Sequence, residues 1–96
     1  MSYTFRGVAL PDHLKDSIDA YVEDGRPLGG FLAACIDNTL WEAIRRADDD
    51  NLQVIPAIMG YLYNECVATC WGYPGASKAW ISKKWTINSS KPKEKD

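Results

Sequence analysis

From residue 10 onward the apolar positions recur at helical rather than strand spacing. In LPDHLKDSIDAYVEDG, Leu14, Ile18, Tyr21 and Val22 stand at i, i+4, i+7 and i+8, the stripe of an amphipathic helix. Pro11 suits the first helical position, and Gly25 is a natural C-terminal stop. In RPLGGFLAACIDNTLWEAIRRADDDN, Leu28, Leu32, Ile36, Leu40, Ala43 and Ala47 keep one phase. That phase predicts a single long second helix, with a break at Asn38–Thr39 as the alternative because Thr39-x-x-Glu42 reads as a capping box. Ile55, Ile58, Met59, Leu62 and Cys66 predict a third major helix. It is preceded by an Asp50/Gln53 capping box, and Pro56 either starts the helix or bends it. ASKAWISKKW predicts a last short helix.

Residues 1–9 show little periodicity and are expected as a short extended arm, and no stretch sustains the alternation of a hairpin. The expected fold is all-α: a compact bundle of about four helices over residues 10–85, with a disordered tail over 86–96.

The length of 96 residues fits one domain with a modest core, so an oligomer, whose partner surface completes the burial, is expected. A net charge of −2 argues against a general nucleic-acid binder, which needs a basic stripe. No apolar run approaches membrane-spanning length and no leader pattern is visible, so the expectation is a cytoplasmic protein. Three cysteines, an odd count, do not suggest a disulfide framework.

Candidate chemistry is sparse. The one histidine, His13, lies in the first turn of a helix, and nothing in the sequence links it to Cys66 or Cys70. The Cys66-x-x-x-Cys70 spacing is not that of a common zinc knuckle, and the Asp48–Asp50 run lacks a calcium-loop pattern. No catalytic residue, metal or cofactor is therefore assigned. The second helix offers more: Asp37, Trp41, Arg45 and Asp48 share the face opposite its apolar stripe, with Asn38 beside Trp41. An indole face, a guanidinium and an amide could stack a base and hold a phosphate. CWGYPG, residues 70–75, puts Trp71 and Tyr73 into a turn, either to plug the core or to present a platform. Arg26, Asn38, Trp41, Arg45, Asn51, Trp71 and Tyr73 are the candidate ligand-binding residues.

Several phrases together resemble a group of small proteins common in phages and prophages of proteobacteria. They are the Leu10–Pro11 start, GRPLGGFL at Gly25–Leu32, Asn38–Leu40, RADDDN at Arg46–Asn51, Leu62–Asn64, CWGYP at Cys70–Pro74 and Ala79–Ile81. The likeness covers residues 7–82. Thr39 stands where the pattern has Asp, so no carboxylate role is carried over there. The resemblance implies a phage accessory protein without a defined chemistry. Such a protein is expected to act in counter-defence by stoichiometric binding, sequestering a nucleotide-derived immune signal in an oligomer. The alternatives are inhibition of a host defence complex in the manner of anti-CRISPR proteins, and a structural or regulatory oligomer with no ligand.

Overall fold

Arg6 and Gly7 both carry positive φ, 51° and 82°, the pairing that a two-residue hairpin turn requires. They join β1 (Tyr3–Phe5) to β2 (Val8–Leu10) as an antiparallel pair with Tyr3 opposite Leu10 and Phe5 opposite Val8. The computed structural model describes residues 3–90, and side chains through residue 86. The expected extended arm is thus a hairpin; its three-residue strands are too short to show a period in the sequence. It is held down by Phe5, whose ring fills the space over Gly60, where a Cβ would come 2.5 Å from the ring.

The rest is helical. α1 (Asp12–Asp24) buries Leu14, Ile18 and Tyr21, and stops at Gly25 with φ 69°. The Gly25 N–H donates to the Tyr21 carbonyl and that of Arg26 to the Ala20 carbonyl, the pattern of a left-handed cap.

The expected long second helix is two: α2 (Gly30–Ile36) and α3 (Leu40–Arg46). Asn38 takes the left-handed conformation, φ 58°, that asparagine tolerates better than most residues. Thr39 does not cap α3. Its N–H and hydroxyl both donate to the Ala34 carbonyl at 3.0 Å, closing the end of α2 instead. The Ile36 carbonyl accepts from Gly72 N–H at 2.7 Å. Backbone groups that a continuous helix would pair along its own axis are taken by the turn and by a distant loop, and the apolar phase loses to them.

α4 (Asp49–Glu65) is capped by Asp48, whose carboxylate accepts from Asn51 N–H at 2.7 Å, two residues before the expected cap. Pro56 lies inside this helix at an exposed position, so it does not start the helix. A 3₁₀ turn (Ala68–Cys70) leads through residues 71–75 to α5 (Ala76–Ser90). α5 continues through residues 86–90, the first part of the expected tail; residues 91–96 lie outside the described residues. The chain is mostly helical, with five α-helices and one small sheet among the described residues, rather than about four helices and none. The core gathers Leu10, Ile18, Tyr21, Ile36, Ile58, Leu62 and Trp80 from β2, α1, α2, α4 and α5. Among the described residues no helix is long and apolar enough to cross a membrane.

Candidate site on α3 and the α2–α3 groove

The turn at Asn38 folds α3 back along α2 and leaves an open groove between them. Its volume is about 280 Å³, and it is lined by Gly30, Ala33, Asp37, Thr39, Glu42 and Arg46 among others. A side chain at position 30 would place its Cβ 2.9 Å from the Arg46 Nη1, so glycine there makes room for the guanidinium. Arg46 Nε donates to Glu42 Oε1 at 2.9 Å, and Arg45 Nη2 donates to both Glu42 oxygens at 2.8 and 2.9 Å. Two guanidinium groups hold the Glu42 carboxyl below the usual carboxylate range. All three groups are about half exposed, so their pairing organises α3 locally more than it stabilises the fold.

Of the expected ligand-binding residues, Asn38, Trp41 and Arg45 share this corner. Trp41 is 70% exposed, and Asn38 is exposed at the turn. Asn38 lines a small apolar cleft with Leu40, Ala43, Ile55 and Met59, not the groove. Asp37, expected on the Trp41 face, is turned the other way. Its carboxylate accepts from Ser77 N–H at 2.7 Å and from the Ser77 hydroxyl at 3.2 Å, capping α5 from another element. Asn51 is half-buried in the first turn of α4, and Arg26 is exposed just past α1. None of the seven expected residues lines the groove. Glu42, Arg46 and Gly30 do, and the readable sign was the Glu42/Arg46 pair at i, i+4 beside the Gly29–Gly30 doublet.

The first half of the CWGYPG loop packs on the core and the second half is exposed. Cys70 and Ala76 at its ends are fully buried, and Trp71 is half-buried against the core. The buried Tyr21 hydroxyl donates to the Cys70 carbonyl at 2.7 Å, with the Ala76 carbonyl at 3.4 Å. Tyr73, Pro74 and Gly75 face out; Tyr73 is 42% exposed, its hydroxyl donating to the Thr69 carbonyl at 3.3 Å.

Two other groupings bear on chemistry. Burial pushes the Cys35 and Cys66 thiols up to about 12, and the Cys70 thiol upward, so all three are protonated near neutrality and poor nucleophiles. His13 is exposed on α1. At the joint of α1, α4 and the hairpin, the Tyr61 hydroxyl donates to Asp19, which Lys15 also reaches at 2.9 Å. Tyr3 packs edge-on against the Tyr61 ring, and Asn64 donates to the Tyr3 hydroxyl at 3.0 Å. Burial and the Asp19 carboxylate push Tyr61 up to about 12, and its contacts with Asp19 and Tyr3 tie the hairpin to α1 and α4. Among the described residues no three His, Cys, Asp or Glu side chains gather as a metal site would need.

No protein-family model, no curated protein and no solved structure matches the chain, so the likeness to phage accessory proteins rests on the sequence phrases alone.

Proposed function

We propose that this protein works by stoichiometric binding, as a phage-type accessory protein, with α3 and the α2–α3 groove as its contact surface and a nucleotide-type ligand as its target. The observation that carries this reading is the Arg46 guanidinium held over Gly30 in the groove. Arg45 and the exposed indole of Trp41 stand on the same short helix. Guanidinium groups suit a phosphate, and an open indole face suits a base. No step of bond making is assigned to any residue.

Thermal unfolding against a panel of cyclic dinucleotides, cyclic trinucleotides and ADP-ribose derivatives tests it. A ligand at a hundred times its dissociation constant adds about 2.7 kcal/mol, a shift of several degrees for a small domain. Arg46→Gln removes that shift, and Gly30→Ala, which displaces the guanidinium, reduces it. A flat panel at saturating concentrations overturns the nucleotide reading.

A second reading, a protein partner in a host defence complex, is favoured by a different observation. Leu40 at 59% and Trp41 at 70% exposure form an open apolar surface with an arginine at its edge, the make-up of a binding hot spot. Under this reading no nucleotide shifts the unfolding temperature, and Trp41→Ala abolishes capture of a partner that the folded wild-type protein retains.

A further inference from the structure

The two ends of the α2–α3 groove differ in chemistry. At about 1.5 Å of rise per residue, its α2 side runs about 10 Å from Gly30 to Asp37. At the first end the Arg46 guanidinium lies over Gly30, with its Nε donating to Glu42. At the other end, by the turn, stands Asp37, and Glu42 lines the groove from the facing helix. Between the ends Ala33 and Ala34 offer only small side chains.

The Asp37 carboxylate is fixed in place, since Oδ1 accepts from the Ser77 N–H and Oδ2 from the Ser77 hydroxyl. Each of these oxygens can accept a second bond, so the carboxylate still offers a pair of acceptors. Glu42 Oε1 already takes two guanidinium bonds and Oε2 one, which leaves a single acceptor position there. The charged side chains lining the groove are one guanidinium and two carboxylates. Such a lining disfavours a chain of phosphates. It suits a ligand with one anionic group at one end and adjacent N–H donors at the other.

We infer that the groove selects a guanine nucleotide unit, with its phosphate on Arg46 and its base edge on Asp37. This narrows the nucleotide reading above and rests on it. Guanine presents two neighbouring donors, the ring N1–H and the N2 amino group, which match the two oxygens of one carboxylate. Adenine and cytosine set a ring acceptor beside their amino group and would turn a lone pair toward Asp37. An indole stacks on any base, so Trp41 does not make this choice. The volume of about 280 Å³ is at the small end for ligand sites and suits one nucleotide unit.

Isothermal titration of the full chain with guanosine, inosine, adenosine and xanthosine monophosphates tests the assignment, with guanosine itself as the probe without phosphate. Guanosine monophosphate is expected to bind about tenfold or more tighter than inosine monophosphate, which lacks only the amino group, because the lost hydrogen bond is to a charged acceptor. Adenosine monophosphate binds more weakly still. Arg46→Gln brings guanosine monophosphate down to the affinity of guanosine. Asp37→Asn, with its helical signal unchanged by circular dichroism, reverses the preference: xanthosine monophosphate, with a carbonyl in place of the amino group, overtakes guanosine monophosphate. Loss of a helix cap alone weakens all the probes alike and reverses nothing. If Asp37→Asn does not fold, the wild-type ratio of guanosine to inosine monophosphate decides. Equal binding of guanosine and adenosine monophosphates overturns the guanine assignment and leaves the nucleotide reading standing, as does a folded Asp37→Asn that keeps the guanine preference. A chain that shifts with members of the cyclic panel but binds none of the monophosphates overturns it as well. No response to any nucleotide at saturating concentration overturns the nucleotide reading, and the guanine assignment with it.

Discussion

The C-terminal end of α1 receives two tryptophans from α5 and the outer face of α3 carries one, and the two regions use them in opposite ways. At the end of α1, Trp80 Nε1 donates to the Tyr21 and Val22 carbonyls at 3.1 Å, and Trp85 Nε1 donates to the Gly25 carbonyl at 3.1 Å. The Tyr21 carbonyl takes the indole beside the Gly25 N–H of the cap, the Val22 and Gly25 carbonyls lie at the helix end where partners run out, and α5 supplies the donors. Lys83 and Lys84 lie over the Trp80 ring, 5.3 and 5.2 Å from its centre, and shield it further. On α3 every side-chain hydrogen bond of Glu42, Arg45 and Arg46 runs to a neighbour three or four residues away, and Trp41 has open solvent beside it. One region is tied across the chain by groups that cannot leave without stranding a polar atom. The other is held by local pairs that exchange at little cost. The difference separates aromatics that build the fold from those free to bind.

Breaking the tied region gives the largest effect. Trp80→Ala removes a buried indole and both of its hydrogen bonds, and is expected to cost about 3–5 kcal/mol. That is much of the stability of a domain this size, and urea unfolding followed by circular dichroism measures it. Tyr21→Phe keeps the ring but leaves the Cys70 carbonyl without its donor. The expected loss is about 1–3 kcal/mol in the same assay.

Alkali sharpens the contrast without a substitution. Cys35 and Cys66 rise from 9.0 to about 12 in the fold, Tyr61 from 10.0 to about 12, and Lys15 from 10.5 to about 12. The unfolded chain therefore releases these protons first and binds fewer of them than the folded chain. Stability falls as pH rises, beginning near pH 9 and continuing toward pH 12. All four groups lie in the body, so its melting temperature should drop across that window; a flat profile there would contradict the burial described.

The smallest effects belong to α3. Trp41→Ala should change monomer stability by no more than about 0.5 kcal/mol, as substitutions at exposed sites do, while it abolishes binding. A large destabilisation would show that α3 is part of the core after all. Glu42 is depressed in the fold, so its contribution is present above the ordinary carboxylate range and disappears as pH falls through its lower folded value. The expected sign is a slight loss of helical signal in that acid window, which Glu42→Gln removes.

The helical class, the start and stop of α1 and the buried stripe of α4 were legible because they are local: a proline, a glycine and a repeated spacing suffice. The break between α2 and α3 was legible only as the alternative at Asn38–Thr39, because Leu40 keeps the apolar phase although it ends up exposed. Its decisive partners, Gly72 for the Ile36 carbonyl and Ser77 for the Asp37 carboxylate, lie some 36 and 40 residues away in sequence. The hairpin escaped because arginine rarely takes positive φ, so Arg6–Gly7 does not resemble the usual turn pair. At the site, Trp41 and Arg45 were readable from their shared helical face. Arg46 was signalled only by its i, i+4 spacing from Glu42; its place in the groove depends on the empty space at Gly30, which only the return of α3 along α2 creates.

The ties at the end of α1 also set the order in which the molecule can be finished. Tyr21 meets Trp80 across 59 residues, and Gly25 meets Trp85 across 60. On the ribosome α1 and its glycine cap emerge long before the tryptophans that reach across to its last turn, so through most of synthesis the Val22 and Gly25 carbonyls are served by water. The step that locks the fold is then a late, long-range closure rather than growth outward from a local nucleus. A nascent chain halted before Trp80 should remain open to protease, and one released after Trp85 should become resistant in a single step.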